Sequence, residues 1–315
     1  MITLKEAKEL TNDKLTQEVI DEFRQDPILN MLEFDDTVTS NGETMTYSYN
    51  RITTQPTAGT RPINGEYTSQ ETKTQRQSTD LKIMGGSYKL DRALVKGEKQ
   101  VVDQVDFQSK QKAKATRAEF ANLFINGDIA TNPDEFDGLK VIVANKSTDY
   151  VPAESIDLSD SDKIDANYKK FLYVLRKMNE KLSKAPDAYL MNGDMYAVFQ
   201  SIADRVANIK YTKDELGNEV LKYGPTTLAK VGDKPGTTES IISTDTTTGE
   251  TEIFAVCLDR ENVHGISLSG SPLVEQHLPD FSTAGAVKEG DVEMIAAVVA
   301  KTTKSVGRIS KIKIQ

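Results

Sequence analysis

A run of about 29 residues, Glu98 to Asn126, contains no proline and no glycine. As a single helix it would span roughly 43 Å at 1.5 Å per residue, far beyond the three turns usual in globular domains. Val102, Val105, Ala113, Phe120, Leu123 and Phe124 mark one apolar side. The stripe has gaps and sustains no heptad, so a coiled coil is not indicated. A long, largely polar helix of this kind is a strut. It spreads a thin molecule instead of closing a compact core, and thin molecules suit proteins that tile a surface. The strut stops at Asn126-Gly127-Asp128, and Phe136-Asp137-Gly138-Leu139 follows shortly after.

The segment before the strut points the same way. Residues 44–54, TMTYSYNRITT, have the composition of a strand, and residues 69–94 read as a second extended segment. Between them lie Pro56, Gly59, Pro62 and an Asn64-Gly65 turn signal. From Gln55 to Asp80 the only large apolar residues are Ile63 and Tyr67. A two-stranded hairpin with so little to bury is not stable alone in water. It is either a loose surface loop or a ribbon that lies on another molecule.

Composition limits the function classes. The chain has 315 residues, 37% hydrophobic and 28% charged, with no Trp, which is enough for a lean core. A net charge of −9 argues against a dedicated nucleic-acid binder. One cysteine, Cys257, allows no internal disulfide and fits a reducing compartment. The opening MITLKEAKEL lacks the apolar centre of a secretory signal, and no run of about 18 apolar residues predicts a membrane span.

Further along, short helices are expected at residues 3–10 and 14–24, the second with Leu15, Val19, Ile20 and Phe23 on one face. Ile28 to Phe34 forms an apolar patch. LKVIVA (139–144) reads as a short buried strand. Ile164, Tyr168, Phe171, Leu172, Leu175, Met178 and Leu182 repeat at helical spacing, making residues 163–184 the clearest amphipathic helix. Ala188 to Met191 is a brief strand, and Asn192-Gly193-Asp194 opens a helix with Tyr196, Phe199, Ile202 and Val206 inward. Residues 212–249 are turn-rich, with a tip at Thr246 to Gly249. Strands are expected at Ile253–Leu258, Val263–Leu268, Val292–Ala300 and Lys311–Ile314. The pattern is α+β or mixed α/β, with strands near both chain ends pairing beside the long helix.

Catalytic arrangements are sparse. His264 and His277 are the only histidines, and no G-x-S-x-G elbow precedes a helix. His264 reads as a strand-end residue with a satisfied hydrogen bond, and Cys257 as a small buried apolar residue. Asp157, Asp160, Asp162 and Asp165 suggest a calcium loop, but the EF-hand Gly and Glu positions hold Asp162 and Tyr168. Helix capping explains those acids better. No metal-ligand spacing, P-loop or dinucleotide fingerprint occurs, so no cofactor or metal site is predicted. Lys110, Lys114 and Arg117 share one face of the long helix with Asp103 and Asp106, and Asp106–Lys110 is a favourable i,i+4 pair. A solvated or intersubunit face suits them better than a phosphate track. The basic tail from Lys301 is read as a polar strand face.

The order of these features resembles the major capsid protein of tailed bacteriophages. The specific matches are Ala118-Glu119-Phe120 through Phe124-Ile125-Asn126-Gly127-Asp128, then Asn132-Pro133-Asp134-Glu135-Phe136-Asp137-Gly138-Leu139. Looser matches are LKEAKELTNDKLTQEVID, IFAVCLDRENVHGISLSGSPLVEQ and VEMIAAVVAKTTKSVGRISKIKI. The final segment is more basic and less aromatic than the resemblance leads one to expect. The resemblance implies an α+β capsid fold in four parts. Residues 1–35 would be an N-terminal arm and 36–95 an extended β-hairpin loop lying over a neighbour. Residues 96–139 with 286–315 would be a peripheral domain around a spine helix, and 140–285 an axial domain with a central mixed sheet. It implies hexamers and pentamers of this chain, a portal protein, a separate scaffolding protein, weak non-specific contact with packaged DNA and no membrane. Assembly would occur in the host cytoplasm and the product would reside in the virion, as a structural protein and not an enzyme. Intersubunit contacts are expected at Arg61, Glu66, Tyr67, Lys73, Arg76, Lys110, Lys114 and Arg117. An encapsulin-like nanocompartment shares the fold, and a carboxylate-based enzyme is a third reading.

Overall fold

The computed structural model describes residues 27–39, 45–54, 56–92, 98–213 and 219–315. The helices expected at 3–10 and 14–24 lie outside the described residues. Two large β-sheets, a separate two-stranded ribbon and two large cores organise the remainder.

The first sheet is built on β14 (Val287–Ala300), longer than the 292–300 strand expected. One edge of β14 takes β12 (Val263–Leu268) and then β13 (Val274–His277). Its other edge takes β4 (Lys82–Asp91), in register from Lys82↔Ala296 to Asp91↔Val287. β1 (Phe34–Val38) lies parallel to β12. Strands from the two ends of the chain therefore pair, as expected. A short helix, α1 (Pro27–Met31), leads into β1, and Ile28 and Leu32 enter the core.

The segment 69–94 is two strands, not one. β3 (Lys73–Asp80) pairs only with β2 (Thr46–Thr54), whereas β4 joins the main sheet after Leu81. The composition changes at that point. β3 is wholly polar, but β4 supplies Met84, Tyr88 and Leu90, all buried.

The strut forms as expected: α2 runs from Glu98 to Asn126 without interruption. Val105, Ala113, Phe120, Leu123 and Phe124 are buried along it. It packs on β4 and β14, where Tyr88 Oη and Ser109 Oγ lie 2.8 Å apart and Gln276 donates to Ser109 Oγ at 3.0 Å. The chain then closes into a tight corner. Gly138 N–H donates to Gly127 O at 2.8 Å. A Cβ on Gly127 would sit 2.3 Å from Phe136 O, and one on Gly138 2.5 Å from Leu123 O. Backbones that touch this closely exclude any side chain. Asp128 accepts from Ala130 N–H and the Thr131 hydroxyl, Asp137 accepts from Ile129 N–H, and Phe136 packs 6.0 Å from Phe120. The N-G-D and F-D-G-L motifs are thus the two halves of one corner.

LKVIVA is a helix, contrary to the strand expected. α3 spans Leu139–Val143 and starts from Gly138, with Ile142 N–H donating to Gly138 O at 3.0 Å. Leu139 and Val143, four apart, are buried, while Val141 between them is only half-buried. A run this short and apolar carries no usable periodicity, and the glycine corner decides its direction.

The second sheet has the order β5-β15-β11-β7-β10-β9-β8, and β6 also pairs β15, beyond β5. The strands are β5 (Asp149–Tyr150), β6 (Ile156–Asp157), β7 (Ala188–Met191), β8 (Ile209–Lys213), β9 (Glu219–Tyr223), β10 (Thr226–Lys230), β11 (Glu250–Val256) and β15 (Val306–Lys313). The sheet is mixed: β10 runs parallel to β7, and β5 and β6 run parallel to β15. The turn-rich reading of 212–249 missed β9 and β10, two five-residue strands whose apolar residues are interleaved with Lys and Thr. Near its end β15 bulges at Lys311, which has φ 55°.

α4 (Ser161–Asn179) and α5 (Gly193–Ala203) cover one face, meeting at Phe171 and Phe199, whose rings are 5.3 Å apart. Both caps are as predicted: Asp160 accepts from Lys163 N–H at 2.8 Å, and Asn192 from Met195 N–H at 2.9 Å. The opposite face contributes Ala188, Leu190, Phe254 and Val256 to the first core. Residues 286–315, grouped by sequence with the long helix, divide between the sheets, β14 in one and β15 in the other.

Candidate functional site

The β2–β3 ribbon is the element whose sequence explains least of its own stability. Its register runs from Thr46↔Asp80 to Ile52↔Thr74, with an irregularity before Thr54↔Lys73. Alternation along β2 places Tyr47, Tyr49 and Arg51 on one side, and this side docks on the body. Tyr49 Oη donates to Ala300 O at 3.0 Å, Arg51 Nε to Lys301 O at 2.8 Å and Arg51 Nη2 to Ala300 O at 2.7 Å. The Arg51 guanidinium also lies 5.7 Å from the centre of the Tyr49 ring. The bonded carbonyls belong to the end of β14 and the first residue after it. Arg51 thus supplies a fork of donors to backbone acceptors that the sheet leaves open there. Burial pushes the Tyr49 phenol above its ordinary pKa, with Arg51 opposing the shift.

One step nearer the root, Tyr47 packs edge-on to His264 at 5.8 Å and donates to Asp35 Oδ2 at 3.4 Å, with Lys301 Nζ 5.6 Å above its ring. His264 corrects the sequence reading. It is fully buried in β12, and neither ring nitrogen has a hydrogen-bond partner among the described residues. Burial, helped by the Lys301 charge, lowers its pKa to about 4. It is a neutral core imidazole. Under the ribbon lies an open groove of about 280 Å³, lined in part by Tyr49, Arg51, Asp80, Lys82 and Val141.

Beyond the foot the ribbon leaves the body. From 56 to 72 there is no strand, and nearly every residue is exposed. The Asn64-Gly65 signal is a real turn: Gly65 N–H donates to Pro62 O at 3.1 Å and Asn64 has φ 66°. Arg61, expected to reach outward, closes the tip on itself. Its Nη1 bonds Gly65 O at 3.2 Å, and its guanidinium lies 5.3 Å from the Tyr67 ring centre. Ile63 is 92% exposed and Tyr67 66%. Glu66 and Lys73 are exposed, and Arg76 donates to Ser48 Oγ across the ribbon at 3.0 Å.

The helix residues lie on a separate surface. Lys110 pairs with Asp106 at 3.1 Å, as the spacing predicted, and Lys114 and Arg117 also interact within the chain. The structure therefore brings Arg61 and Tyr67 together at the tip, places Lys73 and Arg76 on β3, and leaves the helix row apart. Sequence reasoning missed the foot residues Tyr47, Tyr49 and Arg51. Their signal was the strict i, i+2, i+4 spacing of large side chains in an otherwise polar strand.

The other groups weighed for chemistry are structural. Cys257 is buried directly after β11, and burial pushes its thiol up. Lys163 lies 3.1 Å from Asp157 and 3.5 Å from Asp160, at the start of α4. No group of three potential metal-ligating His, Cys, Asp or Glu residues occurs among the described residues. No described helix is long and apolar enough to cross a membrane.

No family model and no curated protein matches this chain. Solved structures do. The holo-SrpI encapsulin complex of Synechococcus elongatus aligns at TM-score 0.57 and 10% identity, covering 91% of this chain and 87% of that one. A solved structure from Mycobacterium phage Adephagia aligns at TM-score 0.56 and 12% identity, covering 92% of this chain and 90% of that one. The capsid of Myoviridae phage XM1 aligns at 0.54 and 11%, covering 91% of each. The likeness, over about nine-tenths of this chain, is one of fold. It is the fold of shell proteins, shared by tailed-phage capsids and encapsulins.

Proposed function

We propose that this chain, having the shell-protein fold, is the major capsid subunit of a tailed phage, forming hexamers and pentamers around packaged double-stranded DNA. The ribbon carries the reading. Its foot is bonded to the body, yet its tip leaves Ile63 and Tyr67 in solvent. An isolated two-stranded ribbon is marginal in water, and exposed apolar side chains on a held arm suit a partner surface. A neighbouring subunit supplies that surface. In this reading Ile63, Tyr67 and Glu66 meet the neighbour, and Lys73 and Arg76 line the ribbon's polar side. The row Lys110, Lys114 and Arg117 faces another subunit along the strut.

The partners are further copies of the chain, a separate scaffolding protein and a portal. The acidic subunit touches packaged DNA only weakly, since strong affinity at the wall would oppose packaging and ejection. Assembly takes place in the host cytoplasm and the product resides in the virion. The role is structural, with no reaction assigned.

Electron microscopy and light scattering of the purified protein, with and without a scaffold, test this. Closed shells that contain DNA when recovered from the producing cell are expected. Shells filled with a protein cargo would move the chain to the encapsulin class. A compact 34.8 kDa monomer under all conditions would overturn both.

A further inference from the structure

The eight-stranded sheet ends in two edges of opposite charge. At one edge, Lys210 of β8 stands directly across from Lys222 of β9. Like charges in that position destabilise an antiparallel pair. Three residues further along the same ladder Lys213 stands opposite Glu219, so an acid–base register is open to this hairpin. Neither Lys210 nor Lys222 has a carboxylate partner among the described residues. Both line an open groove of about 480 Å³ with Asn179, Asn208, Thr212 and Tyr223, and no carboxylate among the described residues lines it. Arg176 adds a third cation at its margin, donating to Tyr223 Oη at 2.7 Å. A lysine on an edge strand guards against unwanted strand pairing, and Lys210 fits that role alone. Lys222 lies one strand further in, where the guard needs no second charge.

The opposite edge is formed by β5 and β6 beside β15. There Glu154, between β5 and β6, and Asp162, in the first turn of α4, are exposed and have no partner among the described residues. The neighbouring Asp157 and Asp160 are neutralised by Lys163. Each edge therefore carries two charges that the described residues of its own subunit do not answer, and the signs are complementary.

We propose that the Lys210–Lys222 groove receives the Glu154 and Asp162 edge of a second copy of this chain. The contact joins two different surfaces, so it is heterologous, and its repetition closes into a ring when the rotation permits. This inference rests on the reading of the chain as a shell subunit and names one contact within it. It also accounts for the like-charge pair: the repulsion is tolerated in the free subunit because an acidic edge relieves it on assembly.

Charge reversal on the full-length protein tests the contact. The pairs K210E/K222E and E154K/D162K should each raise the concentration needed for particle formation by about tenfold or more at ~0.1 M salt. The quadruple reversal should restore assembly. K222Q should leave the melting temperature of dissociated subunits unchanged or higher while weakening assembly, a split that a purely structural lysine would not produce. Doubles that assemble like the parent, or a quadruple as defective as the worse double, overturn the contact and leave the shell reading standing. Intact assembly with lost oligonucleotide binding in K210E/K222E would make the groove a nucleic-acid site instead. A parent protein that never assembles overturns the contact and the shell reading together.

Discussion

His264 makes one residue's environment visible in bulk stability. Unfolded, its imidazole takes a proton near pH 6.5; folded, only near pH 4. Between those values unfolding takes up a proton, so stability is full above about pH 6.5 and falls as the pH drops towards 4. The loss approaches about 3 kcal/mol. Replacing His264 by Phe keeps a ring against Tyr47 and removes the titration. Urea unfolding of dissociated subunits should then lose most of its difference between pH 7 and pH 5, and an unchanged difference would assign the acid limb to other groups. Gly138 gives a second residue-level prediction. A methyl group there meets the Leu123 carbonyl and the Gly127 amide. Gly138→Ala should cost about 2 kcal/mol or more, as overpacking against backbone does. A melting temperature equal to the parent's would show that the corner can relax.

At the scale of elements, the ribbon separates folding from assembly. Residues 56–67 bury little, whereas Tyr49 and Arg51 hold the foot. Replacing 56–67 by a short Gly-Ser turn should leave the circular dichroism spectrum and melting temperature of dissociated subunits nearly unchanged, while particle yield collapses. Normal, equally heat-resistant shells would remove the ribbon from assembly, and unfolding of the subunit would place the segment in an internal core. Elements were legible in the sequence where periodicity was long. The strut stands on 29 residues without Pro or Gly, and the Ser161–Asn179 helix, expected at 163–184, and the β12 strand stand on repeated apolar spacing. Elements decided by contact were not. LKVIVA follows the glycine corner; β10 is a strand because β7 offers it an edge, and β9 because β10 does in turn. The extended segment 69–94 splits at Leu81 because only its second half has side chains to bury. The candidate site was half legible. The tip announced itself by what it lacks, but the foot depends on carbonyls about 250 residues away in sequence, which spacing alone does not reveal.

In the whole molecule, one crossing between the two large sheets lies near the ribbon's foot. The chain passes from the first sheet to the second over 301–305, between β14 and β15. Arg51 and Tyr49 grip that crossing at its start, at the carbonyls of residues 300 and 301. The ribbon is therefore a lever, and its fulcrum is the seam between the two cores. A displacement of the ribbon's foot by a neighbour is thus passed to the segment that joins the two sheets.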